Sequence, residues 1–257
     1  FIQLEEGAPE WRYAFRHPIL QEVTYTTLLF SQRRQLHGAI GTALERWHAD
    51  DLLRVLDLLA YHYGRSEERE KAISYLQRAA EKARREYANE VALGHYSQAL
   101  ERLLPEERRL HYDLLAGRER IYNLLAEREP QGADLAEMAG LAQELGDRRR
   151  QVEVLNRQAR QSADVGAFEA GLALAGRALE LAVQCGDGLG EAEACSVQGI
   201  LSASSGEYEA AWDALQKALS GYRGLGNREG ELSCLGNLGT INLYRGCLLY
   251  TSDAADE

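Results

Sequence analysis

Residues Glu191–Leu219, EAEACSVQGILSASSGEYEAAWDALQKAL, set the pattern that the chain around them copies. Gly166, Gly206 and Gly246 stand 40 residues apart, and Ala159, Gly199 and Gly239 keep the same step. So do Ala178 with Ala218, and Gly146 with Gly186 and Gly226. A fixed period of this size is the signature of an array of helical repeats. Gly199, Ala211 and Ala218 remove side-chain bulk where two helix axes must approach to about 8–10 Å. Gly206 is predicted to end the first helix, because glycine enters the left-handed conformation without a Cβ penalty. Tyr208 then covers the turn and Leu215 fills the space between helices. One repeat cannot bury its own apolar face, so about three or more must stack.

The composition suits such an array. The chain has 257 residues, of which 45% are hydrophobic and 27% charged, enough apolar material for a well-packed helical protein. Its net charge of −11 argues against a nucleic-acid-binding face. Only 3 of the 29 basic residues are lysine (Lys71, Lys82, Lys217), and with abundant Ala, Gly and Leu this matches a GC-rich bacterial genome. The 4 cysteines are irregularly spaced and read as reduced core residues. With no signal peptide and no apolar run of about 18 residues, neither secretion nor a membrane span is expected, and the expected compartment is the cytoplasm. The chain opens on Phe1, not Met. Cys247–Glu257, CLLYTSDAADE, resembles one frame of a transposon-end sequencing adaptor and is set aside as a scar.

Gly199, Gly206, Tyr208, Ala211, Leu215 and Ala218 fall where a tetratricopeptide (TPR) repeat places its small and aromatic residues, so the chain resembles that family. The resemblance implies an all-α, TPR-like α-solenoid of antiparallel helix pairs, with a short β-hairpin remnant at the N-terminus. Residues 147–246 form the regular 40-residue repeats. Before them, 105–146 reads as a linking helix pair: a helix over Glu106–Glu127, a Pro130–Gly132 turn, and a helix over Asp134–Leu145. Residues 49–104 read as degenerate TPR-like helices. Within them Asp50 and Asp51 cap Leu52–Tyr63, Ser66 starts the next helix, and Asn89 caps another.

Phe1–Phe15 reads as two strands, FIQLEE and WRYAF, joined by a Gly7-Ala8-Pro9 turn. Pro18 opens a helix with Ile19 and Val23 on its inner face. Ser31 is expected to cap the next, whose Leu36, Ile40, Leu44 and Trp47 make an apolar stripe. The phrase YAFRHPILQEVTYTTLLFSQRRQLHGAIGTALE resembles the segment after the ATPase module in bacterial STAND/AAA-type signalling ATPases. These include class III adenylate/guanylate cyclases and LuxR-type regulators with ATPase and TPR domains. The matching residues are Phe15, His17, Glu22, Val23, Tyr25, Arg33, Arg34, Leu36 and His37. The resemblance implies that residues 1–48 end a winged-helix-like segment and that ATP and magnesium bind upstream of this chain. A cyclase or DNA-binding output would likewise lie outside it. His17 reads as a partly buried histidine bonded to the next helix rather than a nucleotide sensor, and Arg33 and Arg34 as a solvated face.

No catalytic constellation is found. The chain lacks G-x-x-x-x-G-K-[ST], H-E-x-x-H and G-x-S-x-G, and no histidine stands at a zinc spacing from a cysteine. GDGLG at Gly186 and GLGN at Gly224 are inter-repeat turns. The alternatives to a regulatory scaffold are a free-standing TPR adaptor and, less favoured, an enzyme with its site in this fragment. First helices of TPR repeats line a concave groove, and counting from the repeat glycines places Asn156, Arg157, Arg160, Ser196, Val197, Ile200, Asn237, Thr240 and Tyr244 on it. They would hold a protein or peptide, or another domain of the same polypeptide.

Without an amide cradle and a lysine at a helix start, the chain has nothing to hold a triphosphate. Calorimetric titration with ATP and Mg²⁺ is expected to give no saturable heat at micromolar concentrations. A micromolar isotherm would reveal an active site that the sequence conceals.

Overall fold

The computed structural model describes residues 2–5 and 12–253; the expected Gly7-Ala8-Pro9 turn and residues 254–257 lie outside these. Strand β1 (Ile2–Glu5) pairs antiparallel with β2 (Arg12–Phe15), Ile2 opposite Phe15. All later regular elements are helical. They are α1 (Pro18–Thr27), α2 (Phe30–Trp47), a 3-10 turn (Leu52–Val55), α3 (Leu56–Tyr63), α4 (Arg69–Arg85) and α5 (Asn89–Leu100). Next come α6 (Arg108–Leu124), α7 (Arg128–Glu144), α8 (Arg148–Asp164), α9 (Phe168–Cys185), α10 (Gly188–Ser204), α11 (Tyr208–Gly224) and α12 (Arg228–Asp253). The chain divides into two compact units, Phe1–Leu104 and Pro105–Glu257.

In the second unit every helix starts 20 residues after the last, from Arg108 to Arg228. The reversals share one design. Between α10 and α11, Gly206 has φ +84°, its N–H donates to Ala203 O at 3.1 Å, and that of Glu207 to Ser202 O at 2.9 Å. These two bonds satisfy carbonyls that the helix end leaves open. Residues 146, 166, 186 and 226 repeat the glycine with positive φ, and Ala126 (φ +57°) stands at the same step. The helices α6 and α7, expected as a linking pair, therefore keep the pitch of the array.

Close approach between helices rests on the small residues. A Cβ on Gly199 would lie 2.6 Å from Leu215 Cγ, so the two helices could not pack as they do. Leu215 is buried with Ala211, Ala218, Tyr222, Cys234 and Leu238, while Ala159, Ala175, Val197 and Leu201 form the neighbouring core.

One expectation fails here. Pro130 and Gly132 do not form a turn: α7 begins at Arg128 and runs through both. Pro130 is the third helical residue, where the N–H it lacks has no intrahelical acceptor in any case. Gly246 keeps the 40-residue step but stands inside a helix, since α12 continues to Asp253. At the other reversals a new helix begins two residues on, with Phe168 after Gly166 and Tyr208 after Gly206. After Gly246 stands the run Cys247-Leu248-Leu249, which extends a helix as readily as it leaves one.

The first unit is knotted around Glu45. Its carboxylate accepts from Tyr63 Oη, Tyr75 Oη and Lys71 Nζ, each at 2.7 Å, and the Tyr63 and Tyr75 rings stack 5.3 Å apart. Burial works against the Glu45 charge, but bonds from Lys71, Tyr63 and Tyr75 outweigh it and hold the carboxyl below its ordinary range. Several caps differ from expectation. Gln32, not Ser31, closes the start of α2 by accepting from Leu29 N at 3.0 Å. Asp51 precedes a 3-10 turn without a side-chain bond, Ser66 accepts from Glu68 N ahead of α4, and Asn89 is the first residue of α5. The apolar face of α1 and α2 is open: Ile19 is 71% exposed, Val23 54% and Trp47 73%, because no other described element covers them.

The turn geometry is testable with two alanines. Gly206→Ala forces a Cβ into a left-handed turn and is expected to cost about 1–2 kcal/mol in urea unfolding. Gly236→Ala, on an exposed stretch of α12 with nothing within 4 Å, is expected to stabilise by about 0.5–1 kcal/mol. Equal effects of the two would show that backbone conformation is not what Gly206 supplies.

Candidate functional site

The first helices of the second unit, α6, α8, α10 and α12, present one face to an open cavity of about 1050 Å³. That is at the upper end of small-molecule pockets, and its open form suits an extended chain rather than an engulfed ligand. The floor follows the repeat: Asp113, Glu153, Glu193 and Ser233 line it at 40-residue steps. Asp147, Asp187 and Asn227 close its edge, each accepting from the backbone N–H three residues on (Arg150, Gly190, Gly230) and so capping its helix.

Two arginines neutralise the first two floor carboxylates. Arg150 Nη1 lies 2.8 Å from Asp113 Oδ1. Arg157 reaches Glu119 Oε2 at 2.5 Å and Glu153 Oε1 at 2.6 Å, and donates to Ala116 O at 3.1 Å. Glu119 is 3% exposed and also accepts from Gln131 Nε2 at 2.8 Å. Burial opposes the Arg157 charge, but Glu153 and Glu119 outweigh it and hold the guanidinium firmly protonated.

The residues expected on the groove divide sharply. Asn156, Arg157, Arg160, Ser196, Ile200 and Asn237 line the cavity. Val197 does not: it is fully buried against Ala159, Ala175 and Leu201. Thr240 is exposed and turns back on its own helix, donating to Gly236 O at 3.1 Å. Tyr244 stacks on Tyr208 at 5.6 Å and faces the second-helix side. Val197 stands in register with Arg157 and Asn237, which do line the cavity, and its apolar side chain packs inward where those polar ones reach the groove. Tyr244 stands seven residues, or about two turns, beyond Asn237. Arg157 lines the groove but is a structural ion pair, not a free hydrogen-bond donor.

Asn156 is 2% exposed; its Nδ2 donates to Gly190 O at 3.1 Å, and its Oδ1 is buried without a partner among the described residues. Arg160 is exposed and makes no described ion pair. Ser196 is buried beside Cys234, 4.0 Å from its Sγ. Reading the repeat from its glycines missed Asp113, Glu119, Arg150, Glu153, Glu193 and Tyr222. The 40-residue spacing of the acids was available as a signal.

In the first unit His17 is exposed and makes no side-chain cap bond, against expectation. The buried histidine is His37, 3.0 Å from Tyr25 Oη and 2.9 Å from His62 Nδ1, and burial lowers the pKa of both imidazoles. Arg33 is no solvated side chain: it donates to Thr26 O and Leu28 O, closing the end of α1. Arg34 does face solvent, 3.6 Å from Glu67. Among the described residues no group of three His, Cys, Asp or Glu could hold a metal, and no helix is long and apolar enough to cross a membrane.

No protein-family model and no curated protein matches the sequence. Solved structures do. A Rap protein complexed with Competence and Sporulation Factor superposes with TM-score 0.61 at 16% identity, over 88% of this chain and 74% of that one. A signal transduction ATPase with numerous domains (STAND) protein with a tetratricopeptide repeat sensor, from Pyrococcus horikoshii, superposes with TM-score 0.56 at 16% identity. That match takes in 94% of this chain, which spans 37% of the STAND protein's length. At these identities the likeness is one of fold: an all-helical, TPR-like solenoid.

Proposed function

We propose that the chain is a non-catalytic, regulatory TPR scaffold of a bacterial signal-transduction ATPase, and that the concave face of its second unit receives an extended protein segment. The segment belongs to a partner or to another domain of the same polypeptide. The observation that carries this reading is the groove itself: an open, polar trough lined by Asn156, whose buried Oδ1 has no partner among the described residues. A buried polar atom left unbonded costs free energy, and a peptide N–H is a fitting donor. The Rap structure of similar fold is a complex with Competence and Sporulation Factor, and the repeats of the STAND protein are described as a sensor. Both support reception as the role here. ATP and magnesium belong to an upstream part of the parent, as does a cyclase or DNA-binding output. The working compartment is the cytoplasm, with no nucleic acid or membrane as partner.

Panning a library of N-acetylated, C-amidated hexapeptides against the purified chain tests the groove. Selected peptides are expected to lose tenfold or more in affinity on the double variant Arg160→Ala/Asn237→Ala, with helicity unchanged. No enriched peptide, or equal affinity for the variant, would overturn the reading. Arg157→Ala is expected to act differently. It strands the buried Glu119 carboxylate and should lower stability by about 3–5 kcal/mol in urea unfolding, where the rim pair costs little.

A further inference from the structure

The repeat register exposes a gap in the charge pattern of the floor. Asp113 is neutralised by Arg150, 37 positions on, in the next first helix; Glu153 is neutralised by Arg157, four positions on, in its own helix. Glu193 holds the same place one repeat later. Its counterparts of those arginines are Gly230, 37 positions on, and Val197, four positions on, and neither carries charge. Val197 is sealed in the core. Gly230 is fixed by packing, since a Cβ there would lie 2.5 Å from the Tyr222 ring. Neither site can host a cation from the chain itself without rebuilding the floor.

We propose that the third rung is completed by the ligand, and that Glu193 is the anchor for an arginine or lysine side chain of the bound segment. The inference rests on the peptide-receiving role proposed above. The surroundings fit a donor-rich cation: Ser196 and Asn156 line the same cavity as the carboxylate, and the buried Asn156 Oδ1 has no donor among the described residues. An ionised carboxylate in such a trough gains most from a guanidinium or ammonium that brings several N–H groups. Glu193 is without a described hydrogen bond or ion pair, and burial pushes its carboxyl above the usual range despite the attraction of Arg160. Arg160 belongs to another row. It repeats Arg120 of the preceding repeat, both lining the cavity, and Ile200 ends that row.

Glu193→Gln in the whole chain, with hexapeptides from the same library, decides the matter. Peptides enriched on the native chain should carry Arg or Lys, and the variant should bind them at least about tenfold more weakly while its melting temperature is unchanged. Replacing the basic residue by norleucine should weaken binding to the native chain equally and have little further effect on Glu193→Gln. Peptides that respond to Arg160→Ala/Asn237→Ala but show no basic preference, or bind Glu193→Gln as tightly, would overturn the Glu193 anchor while leaving the groove reading standing. Such a result would mean that Arg160 swings in to close the rung. Failure to enrich any peptide would overturn both.

Discussion

The second unit depends on a backbone conformation that L-amino acids avoid. Every twenty residues the chain must stop a helix and reverse within three residues, and the reversal uses a residue with φ between +57° and +84°. Glycine takes that conformation at five of these turns and Ala126 at the sixth. With the turn fixed, each helix returns at the same angle and distance. Small residues such as Gly199 can then face large ones such as Leu215. Packing is thus set by the turns as much as by the core, and no helix need be stable alone.

The same regularity lays the charged groups of the concave face in rows. Arg150 and Arg157 join α6 to α8 through Asp113 and Glu119, so these ion pairs are part of the wall and also part of how the wall is held. Breaking a pair as buried as Arg157 with Glu119 leaves an uncompensated charge, which costs far more than losing an exposed pair. The floor is therefore stiff where its charges are matched. Open groups collect farther along, at Asn156, Arg160 and Glu193.

Much of the fold is legible because repetition multiplies weak signals. A single glycine says little, but glycines 40 residues apart, with alanines in step, fix helix pairs and their reversals. Ala126 escaped notice because an alanine at positive φ carries no sequence mark, and so α6 and α7 read as a linker. Pro130 misled in the opposite direction, since proline is read as a breaker wherever it stands although a first turn tolerates it. The groove residues were half legible. Counting from the glycines gives the right helices, but Val197 holds the register of Arg157 and packs inward because it is apolar, and Tyr244 stands about two turns beyond the last lining residue, Asn237. Whether an arginine is free or paired depends on contacts 37 or 38 residues away, as for Arg150 with Asp113 and Arg157 with Glu119. In the first unit His17 drew attention through its proline neighbour, yet His37 is the one that folding buries.

Because Asp113 and Glu153 each have an arginine of their own, the rows can change one rung at a time. A substitution at 193 alters what that rung presents, while Asp113 and Glu153 keep their arginines and the turns keep their geometry. Gain or loss of a whole forty-residue unit would lengthen or shorten the trough without disturbing the pitch. The architecture so separates inheritance of shape from inheritance of preference: lineages that share every turn glycine can diverge freely in the charge order they display.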